Sequence, residues 1–193
     1  MNPFNVAVVI GNPGERSRTK VLALALADAV AAALPARASL QLQVLEIARL
    51  APHIVAAGTT TPLAAEGAAA VRSIESADLV IAATPVYKGS YTGLFKHLFD
   101  LVAPDALVGR PVLLAANGGS DRHALVVDHQ LRPLFAFFRA LTVPSAVYAA
   151  EADFDGYALR SDALRQRITE AAGQAAALLA AQRPASAPLR AAA

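Results

Sequence analysis

The chain has 193 residues, 55% of them hydrophobic and 17% charged, with a formal net charge of +2. This balance excludes a disordered chain, and so small a charge gives no argument for nucleic acid or an anionic membrane as partner. No cysteine is present, which removes disulfides, thiolate metal sites and cysteine nucleophiles together.

NVAVVIG (5–11) is a β-branched run that ends in a glycine. It reads as a first strand and not as a signal peptide, because no basic segment precedes it. KVLALALADAVAAAL (20–34) repeats apolar residues on one helical face before Pro35. SLQLQVLEI (39–47) alternates polar and apolar residues, as a strand near the edge of a sheet does. A Pro/Gly/Thr segment over 51–62 precedes a helix at 63–76, and DLVIAAT (78–84) is a second, fully apolar strand. LFKHLFDLV (94–102) has helical spacing, and RPVLLAANGG (110–119) is an apolar strand closing on two glycines. Residues 121–141 read as helix, VPSAVYAAE (143–151) as a last apolar strand, and 161–182 as an alanine-rich helix. The proline and alanine content of 183–193 predicts a disordered tail after a single domain over 1–182. No apolar run reaches the roughly 18 residues of a membrane span without a charge or a proline.

The alternation of strand and helix predicts a parallel sheet with helices on both faces. In such sheets ligands bind beyond the carboxyl ends of the strands, where the strand order reverses. That rule selects the loops 11–19, 84–92 and 117–123. The first, GNPGERSRT, leads into a helix, whose N–H groups and dipole suit a phosphate. Ser17 and Thr19 add hydroxyls, and Arg16 and Arg18 add charge. The same residues also suit a helix capped by Ser17 with solvated arginines. The loop is neither a GK[ST] phosphate loop nor a GxGxxG fingerprint. The second loop, TPVYKGSYTG (84–93), and the third, NGGSDRH (117–123), bring glycines and polar groups to two walls. Phosphate at the first loop and a flat, polar-edged ring between the other two describe a mononucleotide.

Several other patterns fall short. GSYTG places its serine second, so it is not a nucleophile elbow. No YxxxK pair occurs, and His123 and His129 do not align on one helical turn to bind metal. His53 and His97 read as surface or helix-packing residues, and Phe135, Phe137 and Phe138 as a core or subunit-contact stripe.

TPVYKGSYTGLFKHLFDLV, NGGSDRHALVVDHQLRPLFAFF and VYAAEADFDGY resemble the flavodoxin-like NAD(P)H-dependent FMN reductases, above all the reductase partners of two-component alkanesulfonate and methanesulfonate monooxygenases. The similarity runs from Val6 to Tyr157. It implies a flavodoxin-like, doubly wound α/β fold with five parallel strands in the order 2-1-3-4-5. Ser17, Arg18 and Thr19 match the family's phosphate-binding segment, although Gly14 stands where the family has an arginine. Pro85, Val86, Tyr87 and Lys88 match its ring-binding loop. Asn117, Gly118, Gly119 and Ser120 match its second wall, where threonine is the commoner first residue. His129 lies where some relatives insert a tyrosine in a π-helical bulge at a tetramer interface, and the methanesulfonate-type relatives carry histidine there.

The resemblance implies hydride transfer from NADH or NADPH to FMN, with no acid–base catalyst required of the protein. It further implies release of reduced FMN to a sulfonate or sulfone monooxygenase, a homodimer or homotetramer, and no bound metal. A cytoplasmic location is the simplest expectation. The rival readings are a quinone or azo reductase that retains FMN and a non-enzymatic flavodoxin-type electron carrier. The carrier fits poorly with a sequence pI of about 9.2 and an arginine-bearing phosphate loop.

Overall fold

The computed structural model describes residues 2–57 and 62–182. The expected tail lies outside the described residues, as do residues 58–61 of the Pro/Gly/Thr segment. The strands β1 (Phe4–Ile10), β2 (Leu40–Glu46), β3 (Leu79–Pro85) and β4 (Pro111–Gly118) pair in parallel. The fifth position is divided between β5 (Leu141–Thr142) and β6 (Val147–Ala150), both of which pair with β4. The order is β2-β1-β3-β4-β5, as the resemblance implies.

The apolar runs sort by alternation to the two faces of this sheet. Val6, Val8, Ile10, Ile81 and Leu113 point to one side, where α1 (Arg18–Ala33) and α6 (Asp162–Gln182) cover them. Ala7, Val9, Val80, Ala82 and Leu114 point to the other, under α3 (Ala65–Glu75), α4 (Gly93–Asp100) and α5 (Arg132–Phe137). β2 is the edge strand, and it is open on both faces: Gln41, Leu42, Gln43 and Val44 are all exposed, and only Leu45 is buried.

Four segments differ from the sequence reading. The stretch read as loop at 51–62 begins in α2 (Ile47–Ile54), where Ile47 and Ile54 are buried although Pro52 interrupts the backbone bonding. The expected helix 121–141 is a 3-10 turn at Asp121–His123, a π-helical turn at Val127–Leu131, then α5 and β5. The π turn contains His129. The strand expected over 143–151 is broken at Pro144 and Ser145. The Arg132 guanidinium donates to Thr142 Oγ1, Val143 O and Pro144 O, and Gln174 Oε1 accepts from the Ser145 N–H, so the break is held by long-range bonds. A hairpin of β7 (Phe154–Asp155) and β8 (Ala158–Leu159) follows, turned by Gly156 at φ +59°.

Of the phenylalanine stripe, Phe135 and Phe138 are core and Phe137 is 67% exposed. His97 Nε2 lies 2.7 Å from Ile54 O and His53 Nδ1 3.5 Å from Glu66, so both pack or pair at helix surfaces. Among the described residues no cluster could hold a metal ion, and no helix is long and apolar enough to cross a membrane.

Candidate active site

The three loops meet at the carboxyl ends of β1, β3 and β4. Parallel pairing of these strands ends all three on one edge of the sheet, within the registers Ile10 with Ala83 and Pro85 with Asn117. Loops far apart in sequence therefore become neighbours, and direct bonds join them.

The first loop is fixed at Gly11. A Cβ there would stand 2.7 Å from the Phe95 ring and 3.0 Å from Thr84, so only glycine lets the chain pass this close to them. Thr92 caps α4, accepting from the Phe95 N–H at 3.3 Å, and its hydroxyl donates to Gly11 O at 2.8 Å. Ser17 caps α1 with its Oγ accepting from the Lys20 N–H at 3.0 Å. The start of a sixteen-residue helix therefore opens on the cleft with its positive dipole end.

The neighbouring arginines are held differently from each other. Arg18 pairs with Glu151 at 2.8 Å, donates to Gly156 O at 3.0 Å and lies over the Phe154 ring. It thus ties the β7–β8 hairpin to the start of α1. The Arg16 guanidinium lies 5.0 Å from the centre of the Tyr157 ring. Arg18 is thus shared between its partner and the cleft, and among the described residues Arg16 is in no ion pair.

The second loop turns at Tyr87–Ser90, where the two residues exchange backbone bonds of 2.9 and 3.2 Å. Lys88 and Gly89 occupy the tip with φ +53° and +85°, a two-residue turn of the I′ kind. Lys88 is one of two non-glycine residues with positive φ among the described residues. The Val86 N–H donates to Asn117 O at 2.8 Å, and Ser90 Oγ to Gln130 Oε1 of the π turn at 3.1 Å. Pro85 is buried in the strand, and Tyr87 stands half exposed at the cleft.

The third loop is joined to the first through Thr19, whose buried hydroxyl donates to Asn117 Oδ1 at 2.6 Å. Gly118 is required by its surroundings, since a Cβ would stand 2.5 Å from Tyr148 Oη. That hydroxyl donates to Ser120 O at 2.6 Å and so holds the loop closed. Burial, and then the charges of Asp121 and Asp153, push the Tyr148 pKa up. At Gly119 a Cβ would meet nothing within 4 Å, so the loop faces open space.

Together the loops enclose an open cleft of about 310 Å³ that includes Asn12, Arg16, Ser17, Tyr87, Asn117 and Tyr157. It brings Ser17, Arg18, Thr19, Pro85, Tyr87 and Asn117 of the expected residues together. Val86 and Gly118 lie behind it, each bonded or packed against the other wall. Lys88 is exposed at the turn's tip. His129 lies apart, on a cavity of about 540 Å³ beside Tyr91, Phe99 and Phe137. Tyr157 and Glu151 had not been singled out from sequence. The Gly-X loop Gly156–Tyr157 between two short strands is the hairpin signal that marks Tyr157.

The strand order and the loops at its reversal point define a flavodoxin-like α/β protein. The family model described as NADPH-dependent FMN reductase matches residues 4–155, and the chain belongs to that family. It is an NAD(P)H-dependent FMN reductase. An FMN reductase (NADPH) of Pseudomonas aeruginosa is 50% identical over 92% of this chain and 93% of its own. An NADH-dependent FMN reductase, SfnF, of Pseudomonas fluorescens is 50% identical over 91% and 92%. The crystal structure of an oxidoreductase from Corynebacterium diphtheriae, 38% identical, superposes with a TM-score of 0.85 over 94% of this chain and 98% of that one.

The donor set suits FMN. A helix start with the Ser17 hydroxyl and the Arg16 charge matches a phosphate. Two half-exposed rings, Tyr87 and Tyr157, and the open face at Gly119 match a planar heterocycle.

Proposed function

We propose that this enzyme reduces FMN as a passing substrate and delivers it to a separate FMN-dependent monooxygenase that acts on a sulfonate or sulfone. The observation that carries the reading is the openness of the cleft, where two tyrosines that would flank the ring remain about half exposed, Tyr87 at 50% and Tyr157 at 47%. The resemblance of the second and third loops to sulfonate-linked reductases supports the same destination.

In this reading Ser17 and Arg16 hold the phosphate with the N–H groups at the start of α1, and Thr19 fixes Asn117 beside it. Pro85, Val86, Tyr87 and Lys88 form one wall of the ring site. Asn117, Gly118, Gly119 and Ser120 form the other. Bound FMN supplies the hydride acceptor, and the nicotinamide supplies the hydride. The protein's part is to stack the two rings and to place N–H groups where negative charge develops. Among the described residues the Ser120 N–H has no backbone acceptor, which makes it available for that task. No side chain need take or give a proton in the transfer itself.

The test is a coupled assay with purified FMN-dependent alkanesulfonate monooxygenase. Sulfite release that requires this enzyme, FMN and a nicotinamide donor together supports the reading. Turnover of the reductase without any sulfite would count against delivery, and FMN that stays with the protein through gel filtration would favour a flavin-retaining reductase.

A further inference from the structure

A third cavity, of about 200 Å³, lies beside the ring-binding loops, with Gly89, Arg122, His123, His129 and Gln130 in its wall. The loop turn 87–90 contributes to both cavities, Tyr87 to the cleft and Gly89 to this one. The third loop likewise runs from Asn117 in the cleft to Arg122 here. Its wall contains no carboxylate. Among the described residues, Arg122, His123, His129 and the nearby Lys88 take part in no ion pair. His123 and His129 reach one cavity because the 3-10 and π turns reposition them, which regular helical spacing would not do.

We infer that this cavity receives a phosphate of the nicotinamide dinucleotide, with Arg122 as its principal ligand and His123 beside it. The argument is one of charge and place. FMN and its hydride donor each bring phosphate to a site where their rings must stack. The start of α1, Ser17 and Arg16 serve one of them, and Arg18 is committed to Glu151. The second anion therefore needs its own cationic pocket within reach of the ring loops, and an arginine with free donors meets that need.

The inference rests on FMN lying in the three-loop cleft. Its test is steady-state kinetics of Arg122→Ala and Arg122→Lys, with NADPH and NADH each varied at saturating FMN and FMN varied at saturating donor. Arg122→Ala is expected to raise KM for a donor about tenfold, to leave kcat and the FMN KM near wild type, and to be partly rescued by lysine. Adenosine 2′,5′-bisphosphate is expected to inhibit the wild type competitively against NADPH and the alanine variant more weakly. A rise confined to NADPH assigns the cavity to the 2′-phosphate, and a rise for both donors assigns it to the pyrophosphate. Unchanged donor KM values, or an FMN KM rising in step, would overturn the inference. Misplacement of FMN itself would show separately, as an FMN KM insensitive to Ser17→Ala and Tyr87→Ala.

Discussion

The hydroxyl of Thr19 donates to Asn117 Oδ1 at 2.6 Å, across 98 residues of sequence. Thr19 is 1% exposed and Asn117 is half-buried at the cleft, and the bond fixes the start of α1 against the end of β4. The two ends of the proposed flavin site are held at a set distance by a bond between two of its own residues.

Thr19→Val keeps the shape of the side chain and removes the donor. The account predicts a loss of about 0.5–1.5 kcal/mol, the net worth of a typical hydrogen bond, and a several-fold rise in FMN KM. Urea unfolding of the two single variants and of Thr19→Val/Asn117→Ala checks it. The double variant should cost less than the sum of the singles by about 1 kcal/mol. Strict additivity would mean that the bond contributes nothing in solution.

Gly118→Ala should cost about 1–3 kcal/mol, as overpacking does, because the new methyl would meet Tyr148 Oη at 2.5 Å. Removing that oxygen in Gly118→Ala/Tyr148→Phe should recover part of the loss. Thermal melts of the single and double variants decide the matter; a double variant less stable than Gly118→Ala alone would place the strain elsewhere.

Tyr148 has a pKa raised by burial and by the Asp121 and Asp153 charges, so the folded state holds its proton more tightly than the unfolded chain does. Its contribution is fully present below about pH 10, the ordinary tyrosine value, and is lost as pH rises through the folded value. Ionisation also removes the donor to Ser120 O. Urea midpoints of the wild type and Tyr148→Phe, measured at about pH 8 and about pH 11, should therefore converge at the higher pH. Parallel behaviour at both would show that Tyr148 is not the group concerned.

The parts of the fold that were legible in sequence are those governed by local pattern. The centres of the runs at 5–11, 78–84 and 110–119 are apolar because helices cover both faces of the sheet, and β2 carries glutamines because, as an edge, it is open on both faces. The break at Pro144 and Ser145 was hidden, since Arg132 and Gln174 hold it from outside the segment. The π turn at His129 came from resemblance and not from periodicity. α2 escaped notice because Pro52 argues against a helix that the burial of Ile47 and Ile54 nevertheless favours. The three loops were found from composition and the switch-point rule. Their mutual bonds were not: the pair of Arg18 with Glu151 depends on a segment more than a hundred residues away.

The central claim is tested most directly by NADH and NADPH oxidation with protein dialysed free of flavin, at varied added FMN. The account predicts turnover that saturates in FMN and vanishes without it. Oxidation independent of added FMN, or none despite FMN binding, would contradict it.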